Sequence, residues 1–98
     1  MMKNNDKRNR RLNGSITKRV IDLHHKGYHF DFLMLEDCIL LCAQNNERLP
    51  VHAVQIQIVD QGYDQLTQSF KYIHTIDTGN GDLGVLLMDR FFNNGKLA

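Results

Sequence analysis

Residues 15–35 read SITKRVIDLHHKGYHFDFLML, and the spacing of the apolar residues changes within this stretch. In its first half Ile16, Val20 and Leu23 recur at intervals of three and four residues, which places them on one face of an α-helix. The serine that opens the stretch is a suitable N-cap, and Gly27 can adopt the left-handed conformation that ends many helices. The pattern predicts a helix of about three turns that stops at the glycine.

Beyond this glycine the spacing of the apolar residues becomes two. Phe30, Phe32 and Met34 alternate with His29, Asp31 and Leu33. Such an alternation places the large apolar side chains on one face of a β-strand. The helix is therefore expected to lead directly into a strand.

The rest of the chain contains further strand-like segments. Two of them alternate clearly, over residues 54–59 and 70–76, and residues 83–92 are expected to form the last strand. The run from Cys38 to Cys42 is apolar throughout, which fits a buried strand or a helical turn. Residues 60–64 contain a glycine and are expected to form a loop. The sequence predicts an α+β fold in which one N-terminal helix packs on a four- or five-stranded antiparallel sheet.

The relative widths of these layers favour self-association. One helix is about 10 Å wide, whereas four strands at a spacing of about 4.8 Å span roughly 19 Å. A single helix cannot cover such a sheet, so a homodimer is expected to shield the remainder.

Charge is distributed unevenly along the 98 residues. Residues 1–14 contain five basic residues and one acidic residue, a net charge of +4, while the remainder has seven basic and ten acidic residues, a net charge of −3. The chain is therefore predicted to have a basic flexible arm over residues 1–14 and a single α+β domain over residues 15–98.

The arm suggests nucleic acid as one partner. Lys7, Arg8, Arg10 and Arg11 could bind phosphates through sequence-independent electrostatic attraction. No aromatic residue lies among them to stack on bases, so a solubilising tail is the alternative reading of the same charges.

Location and redox state follow from the apolar runs and the cysteines. No run approaches the 18 or so apolar residues of a membrane span, and the polar N-terminus lacks the apolar core of a signal peptide. A cytoplasmic protein without membrane contact is expected. Cys38 and Cys42 would lie about 13 Å apart on a strand, so both are expected to remain thiols.

A cluster of His24, His25, His29 and Asp31 marks the predicted helix-to-strand junction. Imidazole and carboxylate are zinc ligands, which makes a small metal-dependent enzyme one hypothesis. Gly27 interrupts the helix between His25 and His29, so these two residues cannot lie one helical turn apart as a pair of metal ligands. Solvated histidines at a helix C-terminus are the alternative.

Two other patterns could indicate chemistry. A nucleophilic cysteine would need a neighbouring base. Only folding could bring His52 or His74 close to a cysteine. A buried structural thiol is the alternative. Residues 77–82 read DTGNGD, which lacks the distal glutamate of a calcium loop and the Gly-Lys-Ser/Thr ending of a phosphate loop. A tight turn between two strands explains this segment.

Several short segments together resemble a known family. They are Leu23 through Gly27-Tyr28, Asp31-Phe32, Cys38-Ile39, Leu49-Pro50 and Gly84 through Asp89. In their order they resemble a family of short bacterial proteins that are often labelled phosphoribosylpyrophosphate synthetase. The resemblance implies no established activity. Synthetase activity is not expected, because that enzyme has an acidic pair before its Thr-Gly loop, whereas Thr78-Gly79 follows Asp77 alone.

No pattern in the sequence forms a complete catalytic constellation. The preferred interpretation is a non-catalytic binding or regulatory module that acts as a homodimer and uses no cofactor. The alternatives are nucleic-acid association through the arm and a metal-dependent enzyme that uses the histidine cluster.

Overall fold

The computed structural model describes residues 14–93 and 96–97. The helix is α1 (Gly14–His25), and the strands are β1 (Phe30–Leu35), β2 (Ile39–Cys42), β3 (Arg48–Pro50), β4 (Gln55–Asp64), β5 (Ser69–Asp77), β6 (Leu83–Met88), β7 (Phe92–Asn93) and β8 (Lys96–Leu97). The predicted α+β class, with a single helix on a sheet, is confirmed for this part of the chain. Apart from Gly14, the predicted arm lies outside the described residues.

The end of α1 is fixed by hydrogen bonds that a glycine permits. Gly27 has a φ of 110°, and its N–H donates to the carbonyl of His24 at 3.2 Å. The N–H of Tyr28 donates to the carbonyl of Leu23 at 3.0 Å. These two bonds form a Schellman motif, which satisfies carbonyls that the helix leaves without partners. The predicted stop at the glycine is confirmed.

The first six strands form one mixed sheet in the order β3-β2-β1-β6-β5-β4. All neighbours are antiparallel except β1 and β6, which run parallel with Phe30 opposite Gly84 and Phe32 opposite Leu86. The prediction of four or five strands, all antiparallel, is therefore wrong. The chain forms two three-stranded antiparallel units, β1–β3 and β4–β6. The parallel pairing of β1 with β6 joins the two units.

The connection between β3 and β4 shows that this sheet is curled. These strands are the two edges of the sheet, yet only residues 51–54 connect them. From Pro50 to Gln55 the chain can span at most about 18 Å. The edges of a flat six-stranded sheet would lie about 24 Å apart. The sheet must curl, and its concave face encloses a core of Phe32, Leu40, Cys42, Ile76 and Leu86.

The helix packs on the opposite, convex face. Ile16 and Leu23 of α1 form a second buried cluster with Ile73 and Val85. Adjacent residues of a strand point to opposite faces. Val85 of β6 therefore contacts the helix, while Leu86 lies in the concave core. The helix packs against β4, β5 and β6.

Residues 60–64 continue β4, so the loop predicted there is wrong. A bulge between Ile58 and Asp60 shifts the register against β5 and breaks the alternation on which the prediction depended. Gly62 serves close packing rather than a turn, because a Cβ at this position would lie 2.7 Å from Cγ1 of Ile16.

Two further boundaries differ from the sequence prediction. The segment from Cys38 to Cys42 contains both alternatives, a 3₁₀ turn that ends at Cys38 and then strand β2. Cys38 is exposed and Cys42 is buried, and both are free thiols. The last predicted strand, over residues 83–92, is interrupted after Met88.

Candidate functional site

The structure brings together two of the four residues in the predicted histidine cluster. Nε2 of His24, in the last turn of α1, lies 2.8 Å from Oδ1 of Asp31 in β1. Gln44 donates from its amide nitrogen to the other carboxylate oxygen at 2.8 Å and accepts the Asp31 N–H at 2.9 Å. His25 and His29 are exposed and do not join this network. Sequence reasoning missed Gln44, because it follows β2 and meets β1 only through strand pairing.

This His24–Asp31–Gln44 network is suited to holding elements together. It joins the end of α1 to β1 and to the turn after β2. The side chains of His24 and Asp31 are 31% and 45% exposed, and side-chain contacts this exposed contribute about 0–1 kcal/mol. Within residues 14–93 and 96–97, no group of three or more His, Cys, Asp or Glu side chains is placed to hold a metal ion.

The other candidate residues are separated by the fold. Cys42 lies in the concave core, and its thiol donates to Oε1 of Gln44 at 3.7 Å. His52 is exposed in the short turn between β3 and β4. The DTGNGD segment is the predicted tight turn between β5 and β6, where Gly79 and Gly81 have positive φ. Lys7, Arg8, Arg10 and Arg11 lie outside the described residues.

His74 is fully buried in β5 on the concave face. Its Nδ1–H donates to the carbonyl of Leu86 on the neighbouring strand at 3.3 Å. Burial lowers the pKa of His74 from the ordinary value of 6.5, and hydrogen bonds to the backbone of Leu86 and Tyr72 oppose this shift without cancelling it. The imidazole is therefore neutral in the folded protein at neutral pH.

The burial of His74 predicts that the protein is less stable in mild acid. In the unfolded chain this histidine binds a proton near pH 6.5, whereas the folded protein resists protonation until a lower pH. The stabilisation is thus complete above pH 6.5 and is lost as the pH falls through the folded-state pKa. Urea unfolding should show a slope of up to about 1.4 kcal/mol per pH unit from this group.

A His74→Gln variant isolates this contribution, since glutamine can donate to the same carbonyl but does not titrate. We expect its unfolding free energy to vary less between about pH 7 and pH 5 than that of the wild type. His25→Gln is the matched control at an exposed position and should keep the wild-type slope. Identical slopes in the wild type and His74→Gln would contradict the assignment.

A groove with a volume of about 930 Å³ lies at the carboxyl ends of the parallel strands β1 and β6. We call it the end groove. Its apolar lining includes Leu33, Leu35, Leu66 and Leu87, and its charged lining includes Glu36, Lys71, Asp89 and Arg90. After β1 the chain turns towards β2, and after β6 it continues to β7, which contacts β4. Diverging connections beyond parallel strands leave a crevice in which ligands commonly bind.

A buried carboxylate shapes one wall of the end groove. Asp64 has no exposed surface, and its Oδ1 accepts the N–H of Leu66 at 3.2 Å. Its Oδ2 accepts the hydroxyl of Thr67 at 2.8 Å. These bonds fix the turn between β4 and β5, which presents Leu66 to the groove. Sequence reasoning missed this role, because it placed Asp64 in a loop.

The convex face of β1 and β2 forms a second candidate surface. The register places Leu33 opposite Leu41 and Leu35 opposite Ile39, so these four side chains share one face. We call them the open half, since α1 packs over β4, β5 and β6 instead. Leu33 is 53% exposed and the other three are half-buried. As predicted, the single helix thus leaves part of the sheet uncovered, namely the convex face of β1 and β2. Curling of the sheet encloses the core on the concave face.

No family model, curated protein or solved structure matches the chain. The resemblance to the short bacterial family stays a prediction. In the described part of the chain, α1 is too short and too polar to cross a bilayer.

Proposed function

We propose that the protein is a cytoplasmic, non-catalytic binding module that works as a homodimer. In this dimer the open half of one copy packs on the open half of a second copy. The observation that supports this proposal is the 53% exposure of Leu33 at the centre of an apolar strand surface. The exposed free thiol of Cys38 supports a reducing compartment.

A second copy suits the open half for reasons of symmetry and energy. In a two-fold dimer the same patch serves both sides of the interface, so one apolar surface is sufficient. Covering the exposed part of Leu33 contributes on the order of 1 kcal/mol per copy. Curling already shields the core of Phe32, Leu40, Cys42, Ile76 and Leu86 on the concave face, whereas Leu33 on the convex surface of β1 and β2 lacks such cover.

The end groove supports the binding role. Its volume of about 930 Å³ is within the range of small-molecule sites, roughly 300–1,000 Å³. It shares Leu33 and Leu35 with the open half, so a second copy would add a wall to it. Its lining combines the cations of Lys71 and Arg90 with the carboxylates of Glu36 and Asp89 and with leucine side chains, a composition suited to a small amphiphilic molecule with groups of both charges.

Light scattering of the full chain after size exclusion tests the dimer. The expected mass is twice the 11.4 kDa of one chain, with a shift towards 11.4 kDa on dilution. A mass of 11.4 kDa at every concentration would overturn the proposal.

A further inference from the structure

The tight turn between β5 and β6 contains an Asn-Gly pair, Asn80 and Gly81, and both residues are exposed. The N–H of Thr78 donates to the carbonyl of Asp82 at 3.1 Å, which closes the turn around the pair. Gly81 has a φ of 99°, in the left-handed region that favours glycine. The turn therefore requires a glycine directly after Asn80.

This glycine leaves its own backbone nitrogen open to reaction. A Cβ added at Gly81 would meet no heavy atom within 4 Å, so no neighbouring group covers the backbone there. Within residues 14–93 and 96–97, the Gly81 N–H has no hydrogen-bond acceptor. A peptide nitrogen that is neither shielded by a side chain nor held in a hydrogen bond can approach the side-chain amide of the preceding residue.

The side-chain amide of Asn80 is held within the turn by Thr78. Its Oδ1 accepts the hydroxyl of Thr78 at 2.5 Å. A longer contact of 3.0 Å joins the same hydroxyl to the carbonyl oxygen of Asp82, so the bond to Asn80 is the stronger of the two. A hydrogen bond to a carbonyl oxygen stabilises the negative charge that forms there when a nucleophile attacks the carbon. Cγ of Asn80 is therefore activated towards attack.

We propose that Asn80 is a site of spontaneous deamidation in the folded protein, assisted by the hydroxyl of Thr78. The Gly81 nitrogen loses its proton to hydroxide and attacks Cγ of Asn80. The bond from Cγ to Nδ2 breaks, and Nδ2 takes up a proton and leaves as ammonia. Water then opens the resulting cyclic succinimide at either carbonyl and yields aspartate or isoaspartate. The net reaction consumes one water and releases one ammonia.

Either product adds a carboxylate to a turn that already contains Asp77 and Asp82. The formal net charge of the chain falls from +1 to zero. Proteins whose net charge is close to zero associate and precipitate more readily. Deamidation thus links the age of a molecule to its tendency to associate. The turn lies outside the open half, so the reaction does not depend on the proposed dimer.

Mass spectrometry of the full chain after incubation in mildly alkaline buffer tests this site. Trypsin cleaves after Lys71 and Arg90, and the peptide between these sites contains Asn80 as its only amide side chain. We expect this peptide to lose its amide and to appear as a mixture of aspartate and isoaspartate forms.

Asn45 is the internal control, since it is also exposed in a turn. Its Oδ1 accepts the N–H of Glu47 at 2.8 Å, and the residue after it, Asn46, carries a side chain that shields the nitrogen. Asn45 should keep its amide while Asn80 loses it. Equal retention of the amide at the two positions would overturn the proposal.

A Thr78→Val variant tests the assisting hydroxyl. It should deamidate roughly 2- to 10-fold more slowly than the wild type, the equivalent of one ordinary hydrogen bond. Thr78→Ser keeps the hydroxyl and should react at the wild-type rate. In urea the valine variant and the wild type should react equally fast, because unfolding separates Thr78 from the amide. A folded Thr78→Val protein, checked by circular dichroism, that reacts as fast as the wild type would overturn the assistance.

Discussion

A Gly84→Ala variant is expected to lose about 3 kcal/mol of stability, the upper end of the usual cost of overpacking. Gly84 lies in β6 opposite Phe30 of β1. A Cβ at this position would collide with the ring of Phe32 and would lie 2.6 Å from the carbonyl oxygen of Phe30. The ring can shift, but the carbonyl belongs to the neighbouring backbone and cannot move without disturbing the parallel pairing.

Urea unfolding measures this loss, and Gly79→Ala provides the comparison. Gly79 has a φ of 87° and open space around it, so alanine there costs about 1 kcal/mol through backbone strain alone. Gly84→Ala should therefore be clearly the less stable of the two. A Gly84→Ala protein as stable as the wild type would mean that β1 and β6 do not pair in this register.

The second large effect is expected at the centre of the open half. Leu33→Glu should give a folded monomer, because the side chain is 53% exposed in a single copy but would be buried between two. A two-fold axis through the centre of the open half would bring two such carboxylates close together within the apolar interface. Burying charge in this way costs on the order of 3 kcal/mol or more, which weakens the dimer at least about a hundredfold.

Phe70→Glu is the matched control for this experiment. Phe70 is 47% exposed and lies in β5 on the concave side of the sheet, opposite to the open half. Sedimentation equilibrium should show a dimer for Phe70→Glu and a monomer for Leu33→Glu. Dimers of equal strength would exclude the open half as the interface.

The parts of the fold that depend on residues close together in the sequence could be predicted. The helix stop at Gly27 follows from a local hydrogen-bond pattern, and β1 follows from a simple alternation. The parallel pairing of β1 with β6 joins residues more than fifty positions apart, and no local pattern encodes it. The bulge in β4 reverses which residues face the core, so the alternation that predicts strands ends there although the strand continues.

The same distinction applies to the candidate sites. His24 and Asp31 are close in sequence, so their meeting could be anticipated, whereas Gln44 reaches them through the β1–β2 pairing. Tyr63 was hidden in a predicted loop, and it meets Phe70 because β4 continues through residues 60–64 and pairs with β5. The expected homodimer came from the width of one helix against a flat sheet. Because the sheet curls, the core on its concave face needs no second copy to cover it. The argument for a dimer therefore applies only to the open half.

Nuclear Overhauser effects between two differently labelled populations of the chain test this remaining claim most directly. A mixture of methyl-labelled and unlabelled protein, with isotope filtering, reports only contacts between separate copies. The account predicts intermolecular signals at the methyl groups of Leu33, Leu35, Ile39 and Leu41. Intermolecular signals confined to another surface, or none at concentrations where the open half should be covered, would contradict it.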